Sequence, residues 1–214
     1  MTGYLTIAGD AEAEIEVKRS RFRCTLRRVE DETTARAVVE RLRRDHWDAR
    51  HHCSAFRLGP GPQPVERSSD DGEPAGTAGA PMLEVLRGHA GAGVSDVVAV
   101  VTRWFGGTLL GAGGLVRAYS EAVRLALAEA GGLRRELLGI WSVALTHDVA
   151  GRIETELRAA GATVLETTYA ERVGLRLGVA PVDLPRVEAL LAAATGGTGR
   201  MAAVRERWVD IGES

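Results

Sequence analysis

The spacing of apolar residues predicts a mixture of helices and strands along the chain. Apolar residues recur at helical intervals within residues 31–46 and again within residues 115–130. The unbroken apolar run at residues 97–101 is typical of a central strand that is buried on both faces. The segment AEIEVKRSRFRCTL predicts one long strand or a hairpin, and HHCSAFRLG predicts a further strand. The first 130 residues therefore predict strands and helices packed in one α+β unit.

Two glycine-rich segments interrupt this pattern. Residues 59–79 are rich in Gly, Pro, Ser and Asp and predict one long loop, and loops of that length are commonly functional or mobile. Pro81 then suits the first turn of a short helix. The second segment, GGTLLGAGG, joins the predicted central strand directly to the helix that begins near residue 115. Candidate chemistry is expected in these two segments.

The pattern changes after residue 139. From residue 140 the predicted order is strand, helix, strand, strand, helix, strand, which is the βαββαβ order of a ferredoxin-like domain. The segment GGLRRELLG breaks the preceding helical pattern, so we place a boundary within residues 131–139. The prediction is an α+β chain of two domains, residues 1–135 and 136–214.

Composition narrows the class of protein. The chain has 214 residues, of which 45% are hydrophobic and 26% charged, and its net charge is −2, as expected of globular domains. No apolar run reaches the roughly 18 residues that a membrane span needs, and the N-terminal segment lacks a secretory pattern, so we expect a cytoplasmic protein without a membrane partner. Cys24 and Cys53 are too few for a disulfide scaffold and are interpreted as reduced, packed thiols.

Positive charge is concentrated near the N-terminus. Residues 18–50 contain eleven basic and six acidic residues. This excess indicates either a surface that faces nucleic acid or ordinary solvated helix and strand faces. Because 26 of the 27 basic residues are Arg, codon bias is a further explanation for the clustering.

The loop sequence DDGEPAGTAG places three carboxylates within four residues. Asp70, Asp71 and Glu73 could bind a hard divalent cation or supply a general base. The alternative is a turn in which the aspartates bond to the backbone and the glycines adopt positive φ. The spacing lacks the regular ligand alternation of an EF-hand, which argues against a dedicated calcium site.

The segment RWFGGTLLGAGGLVRAY has the layout of an anion site. A strand runs through Arg103 into a glycine-rich loop and then into a helix, whose free N–H groups attract phosphate or carboxylate, and Arg117 could add charge. The alternative is close packing of helix on strand through glycine. Neither a Walker A loop nor a Rossmann fingerprint is present.

The segment DARHHC predicts residues on opposite faces of one strand. Strand alternation places His51 with Cys53 on one face and Arg50 with His52 on the other. A paired His and Cys is the beginning of a metal or nucleophile arrangement, but the second half of such a site is absent. We expect one of the histidines to bond to the acidic loop at the end of the sheet.

Four segments together resemble one family. KRSRF, DARHHC, SDDGEPAGTAGAPMLEVL and VVTRWFGGTLLGAGGLVRAYSEAV are similar to the IMPACT family in its bacterial two-domain form, over about residues 17–128. The resemblance implies a first domain with the fold of the second domain of a small-subunit ribosomal protein, shared with domain IV of elongation factor G, and a tail like domain V of that factor. Because eukaryotic relatives restrain a stress kinase at the ribosome, it also implies a link to translational control.

The resemblance and the motifs predict one cleft. We expect residues 68–79 to lie beside residues 103–114, with Arg103 or His51 neutralising Asp71 or Glu73, and the cleft to receive a phosphate-bearing partner. The candidate binding residues are Arg50, His51, His52, Asp70, Asp71, Glu73, Thr77, Arg103, Gly106, Gly107, Gly111, Gly113, Gly114 and Arg117.

Three functions remain open at this point. The first is a non-enzymatic protein that binds RNA or the ribosome and regulates translation or a stress response. The second is an enzyme acting on a phosphorylated small molecule through Asp71 or Glu73, with or without magnesium. The third is a module that docks a protein through Trp104 and Phe105. We favour the first, with no catalytic residue, cofactor or bound metal.

Overall fold

A computed structural model describes residues 3–61 and 63–211, which separate into two compact units, residues 3–134 and 135–211. The strands of the first unit are β1 (Gly3–Ile7), β2 (Ala11–Val17), β3 (Ser20–Arg28), β4 (His51–Leu58), β5 (Val65–Ser69) and β6 (Val97–Trp104). Its helices are α1 (Glu32–Asp45), α2 (Gly79–Gly88) and α3 (Ala112–Ala130), with a short 3-10 turn at His89–Gly91. None of the helices in the described ranges is long and apolar enough to cross a membrane.

The first unit is built on an antiparallel sheet in the order β2-β3-β6-β4-β5. The predicted central strand is confirmed: β6 lies in the middle, and residues 97–101 are completely buried. Val97, Ala99 and Val101 pack with α2 and α3, whereas Val98 and Val100 pack with α1 on the opposite face. Because helices cover both faces, this strand is apolar throughout even though its neighbours are antiparallel.

The predicted strand or hairpin near the N-terminus is a hairpin. Strands β2 and β3 pair from Ala11 to Val17 and join through Lys18 and Arg19, whose φ angles of 49° and 68° suit a tight two-residue hairpin turn. Gly106 lies against this turn, because a Cβ atom at position 106 would be 2.0 Å from the Arg19 carbonyl carbon. The close approach therefore requires glycine at position 106.

The predicted loop at residues 59–79 is partly wrong. These residues do not form one loop, because β5 occupies Val65–Ser69 and pairs with β4 at the edge of the sheet. The helical pattern breaks after Ala130, as predicted, and strand β7 (Gly132–Leu145) follows and runs through residues 132–139. Pro81 lies in the first turn of α2, as predicted.

The second unit has the predicted βαββαβ order. After β7 come α4 (His147–Ala159), β8 (Thr163–Tyr169), β9 (Val173–Val179), α5 (Leu184–Ala194) and β10 (Ala202–Ile211). Among the strands of this unit the order is β10-β7-β9-β8. The four alternating apolar residues of β9 are buried in a core shared with α4 and α5. Local order and pairing are thus those of a ferredoxin-like unit.

Candidate functional site

The candidate residues meet at one end of the first unit's sheet. Strand β4 begins at His51 and β6 ends just after Arg103, and these two residues are partners in the antiparallel register. The backbone N–H of Arg50 donates to the Arg103 carbonyl at 3.1 Å. The acidic loop follows β5, and α3 begins eight positions after the end of β6. Both glycine-rich segments therefore reach the same end of the sheet.

Arg103 and Glu73 form a buried ion pair between the two segments. Their residues are only 5% and 9% exposed, and the Glu73 Oε1 atom also accepts a hydrogen bond of 2.8 Å from the Tyr119 hydroxyl. The sequence predicts an ion pair that joins Arg103 or His51 to Asp71 or Glu73. Arg103 and Glu73 form this pair, and His51 Nε2 lies 4.0 Å from Glu73 Oε1. The guanidinium of Arg103 also lies over the Phe22 ring, 5.1 Å from its centroid.

Cys53 extends this buried network. Its sulfur lies 3.3 Å from the Tyr119 hydroxyl and 3.0 Å from the Asp70 carbonyl oxygen. Burial raises the pKa of the Cys53 thiol to about 12, and burial likewise raises the pKa of Tyr119. The thiol is therefore protonated at neutral pH and packs as a structural group rather than acting as a nucleophile.

Asp70 stabilises the start of helix α2 from outside the helix. Its carboxylate accepts hydrogen bonds from the backbone N–H groups of Gly76 (2.8 Å), Ala78 (3.0 Å) and Gly79 (2.8 Å). Partial burial acts to raise the pKa of Asp70, but these three donors outweigh it and the pKa is lowered. Asp70 thus supplies the N-terminal cap that Ala78 cannot provide.

Asp71 ties the acidic loop to its surroundings. Its carboxylate accepts from Arg43 of α1 at 2.8 Å and from the backbone N–H of His52 at 2.6 Å. Its carbonyl oxygen accepts from Nδ1 of His51 at 2.8 Å, which is the predicted bond between a histidine and the acidic loop. The φ of 42° at Asp71 and of 84° at Gly72 form the tight turn that makes these contacts possible.

An open cleft of about 310 Å³ lies beside this network. Three basic side chains line it, those of Arg50, His51 and Arg103, together with apolar side chains from the loop before α3. Helix α3 starts at the cleft wall after Gly111, whose φ is 74°, and no side chain in residues 3–61 or 63–211 caps this helix start. A helix N-terminus with nearby arginine favours a bound anion. The lining residues are Arg50, His51, Glu73, Pro74, Arg103, Phe105, Leu109, Leu110, Gly111, Ala112 and Leu115.

Alternation along β4 separates the two histidines. His52 pairs with Thr102 on the α1 face, and it lines a different groove, together with Arg43 and Ser54. Its buried Nε2 atom has no hydrogen-bond partner among the residues that the structure describes, and burial lowers the pKa of His52. The predicted placement of Arg50 with His52 is wrong: Arg50 precedes β4 and lines the cleft with His51.

Other candidate residues hold the backbone or lie outside the cleft. The Thr77 hydroxyl donates to the Pro74 carbonyl at 2.6 Å, and Arg117 Nε donates to the Gly113 carbonyl at 3.1 Å. Gly114 lies close to Leu110, since a Cβ there would be 3.0 Å from the Leu110 Cβ. The residues that do not line the cleft are His52, Asp70, Asp71, Thr77, Gly106, Gly107, Gly113, Gly114 and Arg117.

Comparison with known proteins identifies the family. Residues 18–127 match the Impact N-terminal domain, and residues 143–198 match a domain of unknown function, DUF1949. The chain is 36% identical to the IMPACT family member YigZ of Escherichia coli (strain K12) over 207 residues, which is 96% of this chain and 100% of that protein. The chain belongs to the IMPACT family.

Further relatives agree with this assignment. The IMPACT family member YvyE of Bacillus subtilis (strain 168) is 42% identical over 170 residues, 79% of this chain and 76% of its own length. A solved structure described as "Crystal structure of an hypothetical protein" shares 36% identity and a TM-score of 0.62, covering 96% of this chain and 98% of that one. A crystal structure is therefore known for a protein that is similar to this chain over nearly its whole length.

Sequence reasoning missed two residues that organise the site. Tyr119 lies in the apolar stripe of α3 and is fully buried, so the sequence around it does not indicate its hydrogen bond to Glu73. Arg43 is one of several arginines of α1, and only the tertiary fold selects it as the partner of Asp71. Its position in the last turn of α1 is the one available hint, since basic residues are common at helix C-termini.

Proposed function

We propose that this IMPACT family protein is a non-enzymatic factor associated with translation, and that its cleft binds phosphate groups of RNA. One observation carries the proposal: the uncapped start of α3 opens onto a cleft that also presents Arg50 and His51. Arg50 is exposed, and among the described residues its side chain has no ion-pair partner, so its charge is available to a ligand.

The state of the carboxylates favours binding over catalysis. Asp70 accepts three backbone N–H bonds, Asp71 is paired with Arg43, and Glu73 is paired with Arg103. A general base or magnesium ligand needs free carboxylate oxygens directed at the substrate. Glu73 instead lines the cleft in its ion pair with Arg103, and Asp70 and Asp71 hold the acidic loop in place outside the cleft.

The family resemblance supports RNA as the partner. We propose that the first unit corresponds to domain IV of elongation factor G and the ferredoxin-like unit to domain V, both of which belong to a factor that acts on the ribosome. Resemblance of fold is weaker support than the chemistry of the cleft, because one fold serves many functions. The proposal therefore depends on a binding measurement.

The test measures binding of the whole protein to ribosomal particles and to structured RNA by fluorescence anisotropy, over a salt series from about 50 to 200 mM. Arg50→Ala should weaken binding and reduce the slope of log affinity against log salt by about 1, since one phosphate contact is lost. Arg124→Ala is the matched control: it removes the same charge from α3, 12 positions beyond Ala112 and so about 18 Å along the helix.

Two results would contradict the proposal. One is the absence of saturable binding at low salt. The other is equal binding by Arg50→Ala and Arg124→Ala. Arg103→Ala is unsuitable for this test, because it breaks a buried ion pair and would affect folding as well as binding.

A further inference from the structure

We infer that the bound RNA is unpaired, and that one of its bases stacks on Trp47. This inference rests on the proposed function and names the class of RNA. Trp47 is 83% exposed, which makes it the most exposed aromatic side chain in the described part of the chain. Stacking on an exposed aromatic ring is available to any unpaired base, whereas a base inside a duplex is already stacked on its neighbours.

The backbone around Trp47 is held in place on both sides. The ring of His46 packs edge-on against Trp104, with centroids 5.4 Å apart and an interplanar angle of 74°. The indole N–H of Trp104 donates to Asp48 Oδ2 at 2.8 Å. The N–H of Ala49 closes the turn onto the His46 carbonyl at 2.9 Å. Trp47 is therefore presented by an ordered turn rather than by a loose loop.

This turn lies at the same end of the sheet as the cleft. It connects α1 to β4, and Arg50, three positions after Trp47, lines the cleft. Trp104, which anchors the turn, directly follows Arg103 of the cleft wall on β6. A single strand with a phosphate at Arg50 can therefore place a neighbouring base near Trp47.

Positive charge near Trp47 along the chain comes from Arg44 in the last turn of α1 and from Arg50, which are both exposed. Arg21 and Arg23 lie over the Trp104 ring, at 4.5 and 5.6 Å from its centroid, and both also face Glu14, at 3.9 and 2.9 Å. Of the two carboxylates that flank Trp47 in sequence, Asp45 is exposed and Asp48 accepts the hydrogen bond from the Trp104 indole. Basic side chains around an exposed aromatic ring are the arrangement that binds single strands.

Trp104 itself does not serve as the stacking surface. It is only partly exposed, and it already contacts Arg21, Arg23 and His46. Trp47 has no ring or cation contact within the described residues and is absent from every core cluster. Removing its side chain should therefore change binding while leaving the fold intact.

The experiment compares two labelled RNA probes of about 12 nucleotides or base pairs, an oligouridine and a perfect duplex, by anisotropy at low salt. Trp47→Ala should weaken oligouridine binding about 5- to 150-fold, the range for loss of one base–aromatic stack, and change duplex binding less than about twofold. Trp47→Phe should recover most of the loss, because it restores an aromatic face. Tyr169→Ala, which removes another highly exposed aromatic ring, is the control and should bind as the wild type does.

The outcomes separate this inference from the proposed function. If Arg50→Ala weakens oligouridine binding but Trp47→Ala does not, the stacking is refuted and phosphate binding in the cleft stands. If Trp47→Phe binds as weakly as Trp47→Ala, or if Trp47→Ala weakens both probes equally, the stacking is also refuted. If neither probe binds, both proposals fail. Equal thermal unfolding of the variants and the wild type shows that the comparison concerns folded protein.

Discussion

Replacing Arg103 with methionine should leave the Glu73 carboxylate buried without its cation. Both residues are less than 10% exposed, so water from the cleft can replace the lost partner only in part. Removing one member of a buried ion pair typically costs about 3 to 5 kcal/mol. Tyr119 still donates to Glu73 in this variant, so we expect a loss near the lower limit, about 3 kcal/mol. That is a large part of the roughly 5 to 15 kcal/mol that stabilises a typical domain.

The second step tests whether the loss comes from the uncompensated charge. In the double variant Arg103→Met with Glu73→Gln, neither charge remains, and the glutamine oxygen can still accept from Tyr119. We expect this variant to be at least about 1 kcal/mol more stable than Arg103→Met alone, because replacing both ions removes the desolvation penalty.

The assay is urea unfolding followed by circular dichroism, with the free energy of unfolding taken from the transition of the first unit. Arg124→Met is the control, because Arg124 pairs with Glu121 on the exposed side of α3 and its loss should cost less than about 0.5 kcal/mol. If Arg103→Met costs no more than this control, the pair is not the buried, stabilising contact described above.

Three further predictions concern Asp70, Gly106 and His52. Asp70→Ala should lower the free energy of unfolding by about 2 kcal/mol in the same assay, because three N–H groups lose their acceptor. The lowered pKa of Asp70 means that this contribution is present near neutral pH and lost in acid, so variant and wild type should converge at low pH; a constant difference would contradict the capping role. Gly106→Ala should lower the free energy of unfolding by more than about 2 kcal/mol, because a Cβ there clashes with Arg19. Gly113→Ala, at a helical position with open space, should be neutral or stabilising by up to about 1 kcal/mol, and the reverse order would be inconsistent with the packing. Because the pKa of His52 is lowered in the folded protein, the unfolded chain takes up a proton first as the pH falls below about 6.5. The wild type should therefore lose stability in that range, and His52→Gln should lose less. Parallel profiles of stability against pH for the two proteins would exclude this contribution.

Elements whose side chains face a core could be predicted from sequence. The apolar run at residues 97–101 and the apolar stripe of α3 consist of side chains that are buried, and burial of these side chains stabilises both elements. Strand β5 and the first part of β7 could not be predicted, because much of their surface is exposed. Backbone hydrogen bonds hold such strands, and these bonds place little restriction on side-chain type.

The candidate site was predictable as a region but not as a set of contacts. Period-two alternation correctly separated His51 from His52, because both belong to β4. It failed for Arg50, which precedes the strand and is not part of its pleat. Partners such as Tyr119 and Glu73 are 46 positions apart, and only the packing of α3 on the sheet brings them together.

The central position of β6 determines when the first sheet can be completed during synthesis. Both β3 and β4 pair with β6, and Arg28 is the partner of Val97, which lies 69 positions later in the chain. At about 5 to 20 residues per second, roughly 3 to 14 seconds separate the synthesis of these two partners. During that interval the hairpin β2-β3 and the strand β4 lack their shared neighbour and present open apolar edges. The nascent chain should therefore be most vulnerable to aggregation, and most dependent on chaperones, just before residue 104 leaves the ribosome.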